Sequence, residues 1–374
     1  ESPDMQRFLA QMRDSGVTHV ILEVTSHGLA QQRVAGIDFD IAIVTNITHE
    51  HLDYHKTREE YFAAKALLFE GLGRADNRKI PPLAVLNFDD PDSLNYLEPR
   101  TKVKKIRYAA ESADASAFAT VTGLKSTPNG LDFEARFREM PNLRDNQSLK
   151  IHSPLIGKYN VNNVLAAMTA AIYGLNIVPE IAAQGVAKCS YIAGRMELIY
   201  MGQDFFAMVD FAHTPNALAK SLDSARSLLK EHDPDKTDAR VIAVFGSAGL
   251  RDREKRLMMP AVSVEKADVT ILTAEDPRTE SLDEILRQMA DEAVAKGGIM
   301  NQTVFVERDR GTAIALGMAN SGDIVIALGK GHEQSMCFER TEYPWDDRIA
   351  MRAGLADLLN VDGPEMPYLP TSVR

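Results

Sequence analysis

Short runs of β-branched and other apolar residues alternate with helical stretches along most of the chain. In the first part, strand-like runs cover residues 20–24 and 41–45, and a helix is predicted over residues 57–72. Thr57 and Glu60 at the start of that helix have the spacing of a capping box. Because strands that alternate with helices form βαβ units, the sequence predicts an α/β fold with mostly parallel sheets flanked by helices.

A second series of the same kind follows residue 200. Its predicted strands are Ala207 to Phe211, Val241 to Phe245, Val269 to Leu272, Val304 to Glu307 and Ile324 to Leu328. Its predicted helices are Ala217 to Leu229, Leu282 to Lys296 and Thr312 to Ala319. Residues 81–155, rich in loop-forming Pro, Asn and Asp, and a predicted helix from Asn160 to Tyr173 separate the two series. We predict two domains, residues 1–193 and 194–374, the second a Rossmann-like α/β domain.

Charge excludes one class of function. The chain has 53 acidic and 42 basic residues and a formal charge of −11, which argues against a dedicated nucleic-acid binder but not against a nucleotide substrate. The basic run 100–107 predicts a solvated edge strand. The two cysteines form no CxxC pair, and no apolar run approaches the ~20 residues that span a bilayer. We therefore expect a cytoplasmic protein with no membrane partner.

The loops after the first two predicted strands concentrate polar side chains. Glu23 lies in an otherwise apolar run, where it is either a ligand or a carboxylate that points to solvent, with equal weight for the two readings. The loop 46–55 carries several histidines, but Asp53 stands where a zincin HExxH motif needs its second histidine. Lys65 falls on the apolar face of its helix, where a lysine either extends to solvent or serves a site.

The second series repeats this arrangement. Small residues at 246–249 are followed by four cations, a combination that suits a phosphate. Charged or polar loops also follow three other strands, at 210–215, 275–278 and 329–333. Because parallel strands place their carboxyl ends at one edge of the sheet, these loops predict one shared ligand site.

Taken together, these segments resemble the Mur ligase family, in particular its tripeptide synthetase branch. The matching strings are EVTSHGL (23–29), TNITHEHLDYH (45–55), YFAAKALLF (61–69), GKYNVNNVLAA (157–167), AGRMELI (193–199), VDFAHTPNAL (209–218), FGSAGLRDREKR (245–256), EDPRTE (275–280) and GKGHE (329–333). The resemblance covers nearly the whole chain, in the order of the family.

The resemblance implies an ATP-dependent ligase of peptidoglycan precursor synthesis. In this family ATP phosphorylates a carboxylate, and the amine of an amino acid then attacks the acyl phosphate. It implies Mg²⁺ bound by Glu23, His51 and a carbamylated Lys65, and a nucleotide cleft between the domains lined by Asn46, Asn163, Arg195, Asp210 and His213. It also implies substrate contacts, with UDP-MurNAc-dipeptide and the amino acid, from Ser26, Arg33, Arg256, Asp276, Arg278, Gly329 and Glu333.

The sequence departs from the family pattern at two boxes. The Asp-Asn-Pro-Arg box of diaminopimelate-adding members reads Glu275-Asp276-Pro277-Arg278 here. Its arginine persists and favours a diaminopimelate-like substrate, whereas Asp276 leaves the identity of the amino acid open. The family's Gly-Asp-Arg reads Gly249-Leu250-Arg251.

Two family features are not found in the sequence: the Gly-Thr-x-Gly-Lys-Thr P-loop and the uridine-nucleotide domain. On that ground we expect the central domain to be incomplete at its N-terminus and this chain to be inactive alone. Three alternatives stay open at this point: a non-catalytic nucleotide- or peptide-binding relative, a metal hydrolase that uses residues 49–55, and another amide ligase of the folylpolyglutamate or cyanophycin synthetase type.

Overall fold

The computed structural model describes residues 2–47, 52–74, 79–112, 116–127, 129–141, 146–251, 253–318 and 323–372. They form two compact units. The first unit contains most of the chain up to residue 188; the second contains residues 189 onward and the short pieces 126–131 and 154–158. The first unit carries one six-stranded sheet and the second another, so the predicted α/β fold is confirmed. The domain boundary before residue 194 stays a prediction.

The sheet of the first unit follows chain order. Its strands are β1 (Ile41–Ile43), β2 (Leu83–Asn87), β3 (Lys104–Ala109), β4 (Ala119–Thr127), β5 (Gly130–Phe137) and β6 (Gln147–Ser153). The pairs β1–β2, β2–β3 and β3–β4 are parallel. The carboxyl ends of β1, β2 and β3 therefore lie at one edge, where the loops that follow them are neighbours.

Seven α-helices belong to the described part of this unit. They are α1 (Ser2–Asp14), α2 (Ser26–Ala30), α3 (Leu52–His55), α4 (Arg58–Glu70), α5 (Pro91–Leu97) with a 3₁₀ turn (Glu98–Arg100), α6 (Asn160–Leu175) and α7 (Pro179–Ala187). The predicted cap of α4 is present, since the Thr57 hydroxyl accepts a hydrogen bond from the Glu60 amide at 3.1 Å. Tyr61, Phe62 and Phe69 on α4 pack into the apolar core beneath the sheet.

The sheet of the second unit is almost entirely parallel. Its strands are β7 (Glu197–Ile199), β8 (Phe206–Asp210), β9 (Val241–Phe245), β10 (Val269–Leu272), β11 (Val304–Val306) and β12 (Ile324–Leu328), in the order β11-β10-β9-β12-β8-β7. Only β7 among these strands is antiparallel to its neighbour, β8. A separate hairpin consists of β13 (Ser335–Phe338) and β14 (Thr341–Pro344).

The crossover helices of this unit are α8 (Pro215–His232), α9 (Arg253–Lys266), α10 (Leu282–Ala295) and α11 (Arg310–Leu316), and α12 (Asp347–Leu359) follows the hairpin. Three of the four crossover helices begin at a capping side chain: Thr214 for α8, Ser281 for α10 and Asp309 for α11. β9 and β12 are buried at every position, as two-sided coverage by helices requires. The loops after β8, β9, β10 and β12 consequently meet at one edge.

Two expectations about the first sheet are wrong. Residues 20–24 form no strand, and Ile21 is fully exposed, because none of the described strands pairs with this stretch and an unpaired run has no ladder to join. The basic run is not an edge strand either: β3 lies between β2 and β4, with Ile106 and Tyr108 fully buried. Its Arg107 pairs with Glu98 at 2.6 Å instead of guarding an edge.

Among the described residues, no helix combines the length and the apolar composition needed to cross a bilayer.

Candidate active-site regions

The first region begins where the extended stretch enters α2. Glu23 is exposed, so its carboxylate is accessible to a ligand and is not a buried charge. Thr25 caps α2 by accepting a hydrogen bond from the Gly28 amide at 3.0 Å. Arg33 is exposed just beyond the helix, and its amide donates to the Gly28 carbonyl at 2.7 Å. This short turn therefore presents an acid and a base on one connected segment.

A buried serine–histidine contact joins this segment to α3. Ser26 is 1% exposed and His55 is 4% exposed, and the Ser26 Oγ lies 2.9 Å from the His55 Nε2. The rings of His27, Tyr54 and Tyr61 pack around the same imidazole, with their centroids 4.8 to 5.4 Å from its centroid. His55 therefore belongs to this region. The sequence analysis had included it only as one of several histidines in the loop 46–55.

Lys65 belongs to the same region through Tyr61. It is half-buried on α4, with its Nζ 5.9 Å from the centroid of the Tyr61 ring. The Tyr61 ring is a neighbour of both Lys65 and His55, so Ser26, His55, Tyr61 and Lys65 form one connected set of side chains. The apolar face of α4 thus brings the anomalous lysine to the polar residues of α2 and α3.

The loop after β1 is held by the last residue of β2, Asn87, and by Asp90, which follows that strand. The Asn87 side chain donates to the Thr45 carbonyl at 2.6 Å, and the Asp90 Oδ2 accepts from the Ile47 amide at 2.9 Å. Asn46 between them is exposed. These two bonds fix the direction of the loop that leads to the histidine cluster. His51 itself lies outside the described residues.

Asn163 lies near the start of α6 and is exposed, with its amide nitrogen 2.9 Å from the Asn160 Oδ1. No group of three or more His, Cys, Asp or Glu side chains within the described part of the chain is close enough to hold a metal ion. The described residues by themselves therefore do not build the metal site that the resemblance implies, since one of its three predicted ligands is His51.

The second unit presents an aromatic platform after β8. Arg195 lies over the Phe211 ring at 4.5 Å from its centroid, and the rings of His213 and His332 lie 4.6 and 5.0 Å away. Arg195, His213 and His332 are exposed, whereas Phe211 is half-buried. Such a cluster can stack against a planar ring and offers donors to phosphate or ribose oxygens.

Asp210 supports this platform from below. It is 5% exposed, and its two carboxylate oxygens accept three hydrogen bonds, from the Met196 amide, the Ala212 amide and the Ser221 hydroxyl, at 2.8 to 3.0 Å. Its carbonyl also accepts from the Gly329 amide at 3.1 Å. With these bonds, Asp210 fixes the start of the 194–199 segment relative to the loops after β8 and β12.

Two glycines allow the backbones of those segments to touch. A Cβ on Gly194 would lie 2.2 Å from both the Gly331 carbonyl carbon and the His332 nitrogen. Gly194 and Gly331 both have positive φ, +62° and +54°. Only glycine satisfies both demands, so the conformation of the 329–333 loop depends on the absence of a side chain at 194.

The box after β10 has a strained backbone. Asp276 and Arg278 have φ of +39° and +54°, a region that non-glycine residues rarely occupy. Asp276 accepts hydrogen bonds from the Lys330 ammonium at 3.1 Å and the Cys337 amide at 2.9 Å. The Arg278 amide donates to the Cys337 carbonyl, and the Arg278 carbonyl accepts from the Glu339 amide. These hydrogen bonds therefore attach the box to the hairpin and to Lys330.

Two polar side-chain atoms of the box are buried without a hydrogen-bond partner among the described residues: the Oε2 of Glu275 and the Nε of Arg278. Glu275 is 9% exposed, and burial raises its pKa to about 7, although Arg310 and Lys330 oppose the shift. A Cβ on Gly329, at φ +103°, would lie 2.3 Å from that Oε2. Buried groups left unsatisfied in this way are typical of a ligand site.

Lys330 connects the box to the end of its own loop. It is 2% exposed and pairs with both Asp276 and Glu333, the latter at 2.7 Å. Glu333 remains 43% exposed, so its carboxylate is accessible while it is held by Lys330. Lys330 and His332 were not among the predicted site residues, although both lie in the GKGHE segment that marked the loop.

Arg256 is engaged within the protein. It is 1% exposed and donates to both carboxylate oxygens of Glu280, at 2.8 and 2.9 Å, and to the Gln288 side chain at 3.0 Å. Glu280 also accepts from the Leu250 amide at 3.0 Å. In this structure Arg256 thus links α9 to the segment after the box.

We expect the Arg256–Glu280 pair to make the stability of this unit pH-dependent. Hydrogen bonds from Arg256 lower the pKa of Glu280 from 4.5 to about 2. Because the folded state binds this proton less readily than the unfolded state, the contribution, about 1 to 3 kcal/mol after solvent screening, is present above pH 4.5 and declines as the pH falls toward 2. Glu280→Gln should lower the melting temperature at pH 7, and its difference from wild type should shrink by roughly half at pH 3.

The matched control is Asp291→Asn, which removes an exposed partner of Arg287 on α10. Exposed ion pairs contribute little, so its melting temperature should follow wild type at every pH. An unchanged melting temperature of Glu280→Gln at pH 7 would contradict the prediction.

Comparison with known proteins agrees with this geometry. Residues 1–171 match the Mur ligase middle domain, and residues 194–331 match the Mur ligase, glutamate ligase domain. The chain belongs to the Mur ligase family.

Within that family, the chain is similar to diaminopimelate ligases and to a tripeptide synthetase. It is 37% identical over 358 residues to the UDP-N-acetylmuramoyl-L-alanyl-D-glutamate–2,6-diaminopimelate ligase of Geobacillus thermodenitrificans, and 37% identical over 376 residues to the UDP-N-acetylmuramyl-tripeptide synthetase of Roseiflexus sp.. Each match covers 96% of this chain and 68% of the relative.

A solved structure of a UDP-N-acetylmuramoyl-L-alanyl-D-glutamate–2,6-diaminopimelate ligase is 31% identical, with a TM-score of 0.58, and the match covers 96% of this chain and 68% of that one. The chain thus spans about two thirds of the length of these relatives. Nothing in these comparisons supports the expectation that this chain is inactive alone, which stays a prediction.

Proposed function

We propose that the chain carries the catalytic machinery of an ATP-dependent ligase that joins diaminopimelate to a UDP-MurNAc-dipeptide in peptidoglycan precursor synthesis. The observation that supports it best is the box at 275–278: its backbone is strained at Asp276 and Arg278, and the Oε2 of Glu275 and the Nε of Arg278 are buried without a hydrogen-bond partner among the described residues. The reaction uses ATP to convert the dipeptide carboxylate to an acyl phosphate, which the amine of the amino acid attacks.

Arg278 is the residue proposed to bind the second carboxylate of the amino acid. A guanidinium can bind a carboxylate through two parallel hydrogen bonds, which selects diaminopimelate over an amino acid that lacks the second carboxylate. Glu333 and Gly329 line the adjacent loop and are proposed contacts for the ammonium and the backbone of the substrate. Asp276 acts in this proposal through Lys330 and the hairpin, whose positions it fixes.

Arg256 is proposed to order the same edge through Glu280. Its bidentate bond holds the segment that follows Arg278, so its removal would release the box as well as remove a charge. A role of Arg256 in direct contact with substrate requires it to exchange Glu280 for the substrate carboxylate.

The proposed nucleotide contacts in the second unit are Arg195, His213 and the Phe211 platform, with Asp210 as the support that orients them. In the first unit, Asn46 and Asn163 are the proposed nucleotide contacts and Ser26 and Arg33 the proposed contacts to the UDP-MurNAc-peptide. Fixed geometry and charge neutralisation are the two demands of acyl-phosphate chemistry, and these residues supply donors for both.

Glu23, His51 and a carbamylated Lys65 remain the proposed ligands of Mg²⁺. Carboxylate oxygens and an imidazole suit this ion, which supplies charge neutralisation on the phosphates when bound. Glu23 is exposed, and Lys65 is half-buried in a polar cluster, so both are accessible to such chemistry. We place the reaction in the cytoplasm, where its nucleotide substrates are, with small molecules as its partners and no nucleic acid.

The proposal is tested by ADP release. The ligase at its full natural length should turn over only when ATP, Mg²⁺, the UDP-MurNAc-dipeptide and diaminopimelate are all present. Equal turnover without the amino acid would contradict the ligase assignment, and equal turnover with lysine would contradict the assignment of diaminopimelate.

Arg278→Ala should raise the KM for diaminopimelate by about 30-fold or more and leave the KM for ATP within about twofold, because it removes a charge-assisted bidentate contact of about 2 to 3 kcal/mol. Arg278→Lys should recover only part of this loss, since an ammonium cannot make the paired contact. Arg340→Ala, which removes an exposed arginine from the neighbouring hairpin, is the control and should change neither constant. Equal increases in both constants for Arg278→Ala would count against the assignment.

A further inference from the structure

A fully buried ion pair lies directly beneath the proposed amino-acid site. Arg310 at the start of α11 and Asp347 at the start of α12 both have side chains that are 0% exposed. The Arg310 Nε and one terminal nitrogen donate to the two oxygens of Asp347, each at 2.7 Å. The Trp345 indole donates to the same carboxylate at 2.8 Å.

The same guanidinium also binds two backbone carbonyls. It donates to the Ala274 carbonyl at 3.3 Å and to the Leu328 carbonyl at 2.7 Å. Ala274 directly precedes Glu275, and Leu328 directly precedes Gly329. One side chain therefore spans the ends of the segments that lead into the two proposed substrate-binding loops.

Trp345 extends the connection to the far end of the second loop. Its amide donates to the Gln334 carbonyl at 3.1 Å, one residue after Glu333. Asp347 thus anchors the guanidinium on one side and an indole tied to the 329–333 loop on the other. The buried pair is therefore connected by hydrogen bonds to both ends of that loop and to the start of the box.

Stability alone does not account for such a pair. Two buried charges lose most of their hydration, and a well-packed apolar pair of the same volume often stabilises a protein equally well. What an apolar pair cannot do is donate hydrogen bonds in fixed directions to two carbonyls. A planar guanidinium with five donors does this in one rigid unit.

We propose that Arg310 and Asp347 are positioning residues that set the distance between the 275–278 box and the 329–333 loop, and through it the affinity for the amino acid. This inference rests on the proposed function, because it assigns those two loops to the amino-acid site. Neither side chain contacts solvent, so neither contacts the substrate.

The test is Asp347→Asn and Arg310→Lys in the full-length ligase. Each should raise the KM for diaminopimelate about tenfold or more and leave the KM for ATP within about twofold, because the carbonyl contacts loosen at the amino-acid loops. Lysine retains the charge but cannot bridge two carbonyls and a carboxylate, so Arg310→Lys should not recover the wild-type KM.

The matched control is Asp323→Asn. Asp323 is 4% exposed and accepts two hydrogen bonds from the Arg240 guanidinium at the opposite, amino-terminal end of β12. Its loss should lower the melting temperature without changing either KM. Trp345→Phe removes one hydrogen bond from Asp347 and keeps the ion pair; it should raise the diaminopimelate KM about threefold, and it serves if the charge variants do not fold.

The outcomes separate cleanly. A wild-type enzyme that turns over, with Asp347→Asn or Trp345→Phe variants whose melting temperature falls but whose diaminopimelate KM does not change, overturns this inference alone. Equal increases in the KM for ATP and diaminopimelate overturn it as well. A wild-type enzyme without diaminopimelate-dependent ADP release overturns the proposed function, and this inference with it.

Discussion

Gly194→Ala should lower the free energy of unfolding of the second unit by about 3 kcal/mol or more, from left-handed strain of 1 to 2 kcal/mol and a backbone overlap that costs at least as much. The new Cβ would lie 2.2 Å from the Gly331 carbonyl carbon and the His332 nitrogen. These are backbone atoms, so the overlap cannot be relieved by a change of rotamer. Urea unfolding followed by circular dichroism measures the difference.

The control is Gly202→Ala in the same unit. Gly202 has φ of +107°, and a Cβ there would meet nothing within 4 Å. It therefore carries backbone strain without the overlap, and we expect a loss of about 1 kcal/mol. If Gly194→Ala cost no more than Gly202→Ala, the close approach of the 194 and 331 backbones would be refuted.

Lys65→Met should reduce ligase turnover by about a thousandfold, the scale of losing electrostatic stabilisation of transferring phosphate. Methionine keeps an unbranched apolar stem of similar length and removes the nitrogen. If Lys65 only extends to solvent along the face of α4, the substitution should be nearly neutral. If it carries the proposed carbamate, the anion is lost while the packing beside Tyr61 is retained.

Two measurements separate these alternatives. The melting temperature of Lys65→Met should stay within about 2 °C of wild type, which assigns the loss to chemistry and not to folding. Acetate added to Lys65→Ala should restore part of the turnover, because it supplies a carboxylate to the space of the missing one. Full turnover of Lys65→Met would sink the assignment of Lys65 to the site.

The strands that the sequence predicted best are those whose burial is two-sided. The bounds of Val241–Phe245, Val269–Leu272 and Ile324–Leu328 were predicted to the residue, because a short apolar run between polar loops has one way to lie in a covered parallel sheet. The run at 20–24 is apolar apart from Glu23 but has no paired neighbour among the described strands, and composition does not report pairing. The position of β3 inside its sheet is likewise set by its pairing with β2 and β4, which the charges of the basic run do not report.

The same distinction between local signals and contacts between elements applies to the candidate site. Local strings located every loop, since glycine, proline and charged residues after a strand are local signals. They could not show that Arg256 is held by Glu280, or that Ser26 is buried against His55 29 residues away. These are contacts between elements, and only the fold determines them.

Changes in the hairpin of β13 and β14 can alter the selectivity of the proposed site for its amino acid. Arg278 shares two backbone hydrogen bonds with it, to Cys337 and Glu339, and Asp276 holds the Cys337 amide. Substitutions that shift the hairpin backbone at Cys337 or Glu339 would therefore redirect the guanidinium without altering any side chain of the box. During divergence of such ligases, a change of amino-acid preference can begin in the hairpin, at positions that a comparison of substrate-contacting residues alone would treat as neutral.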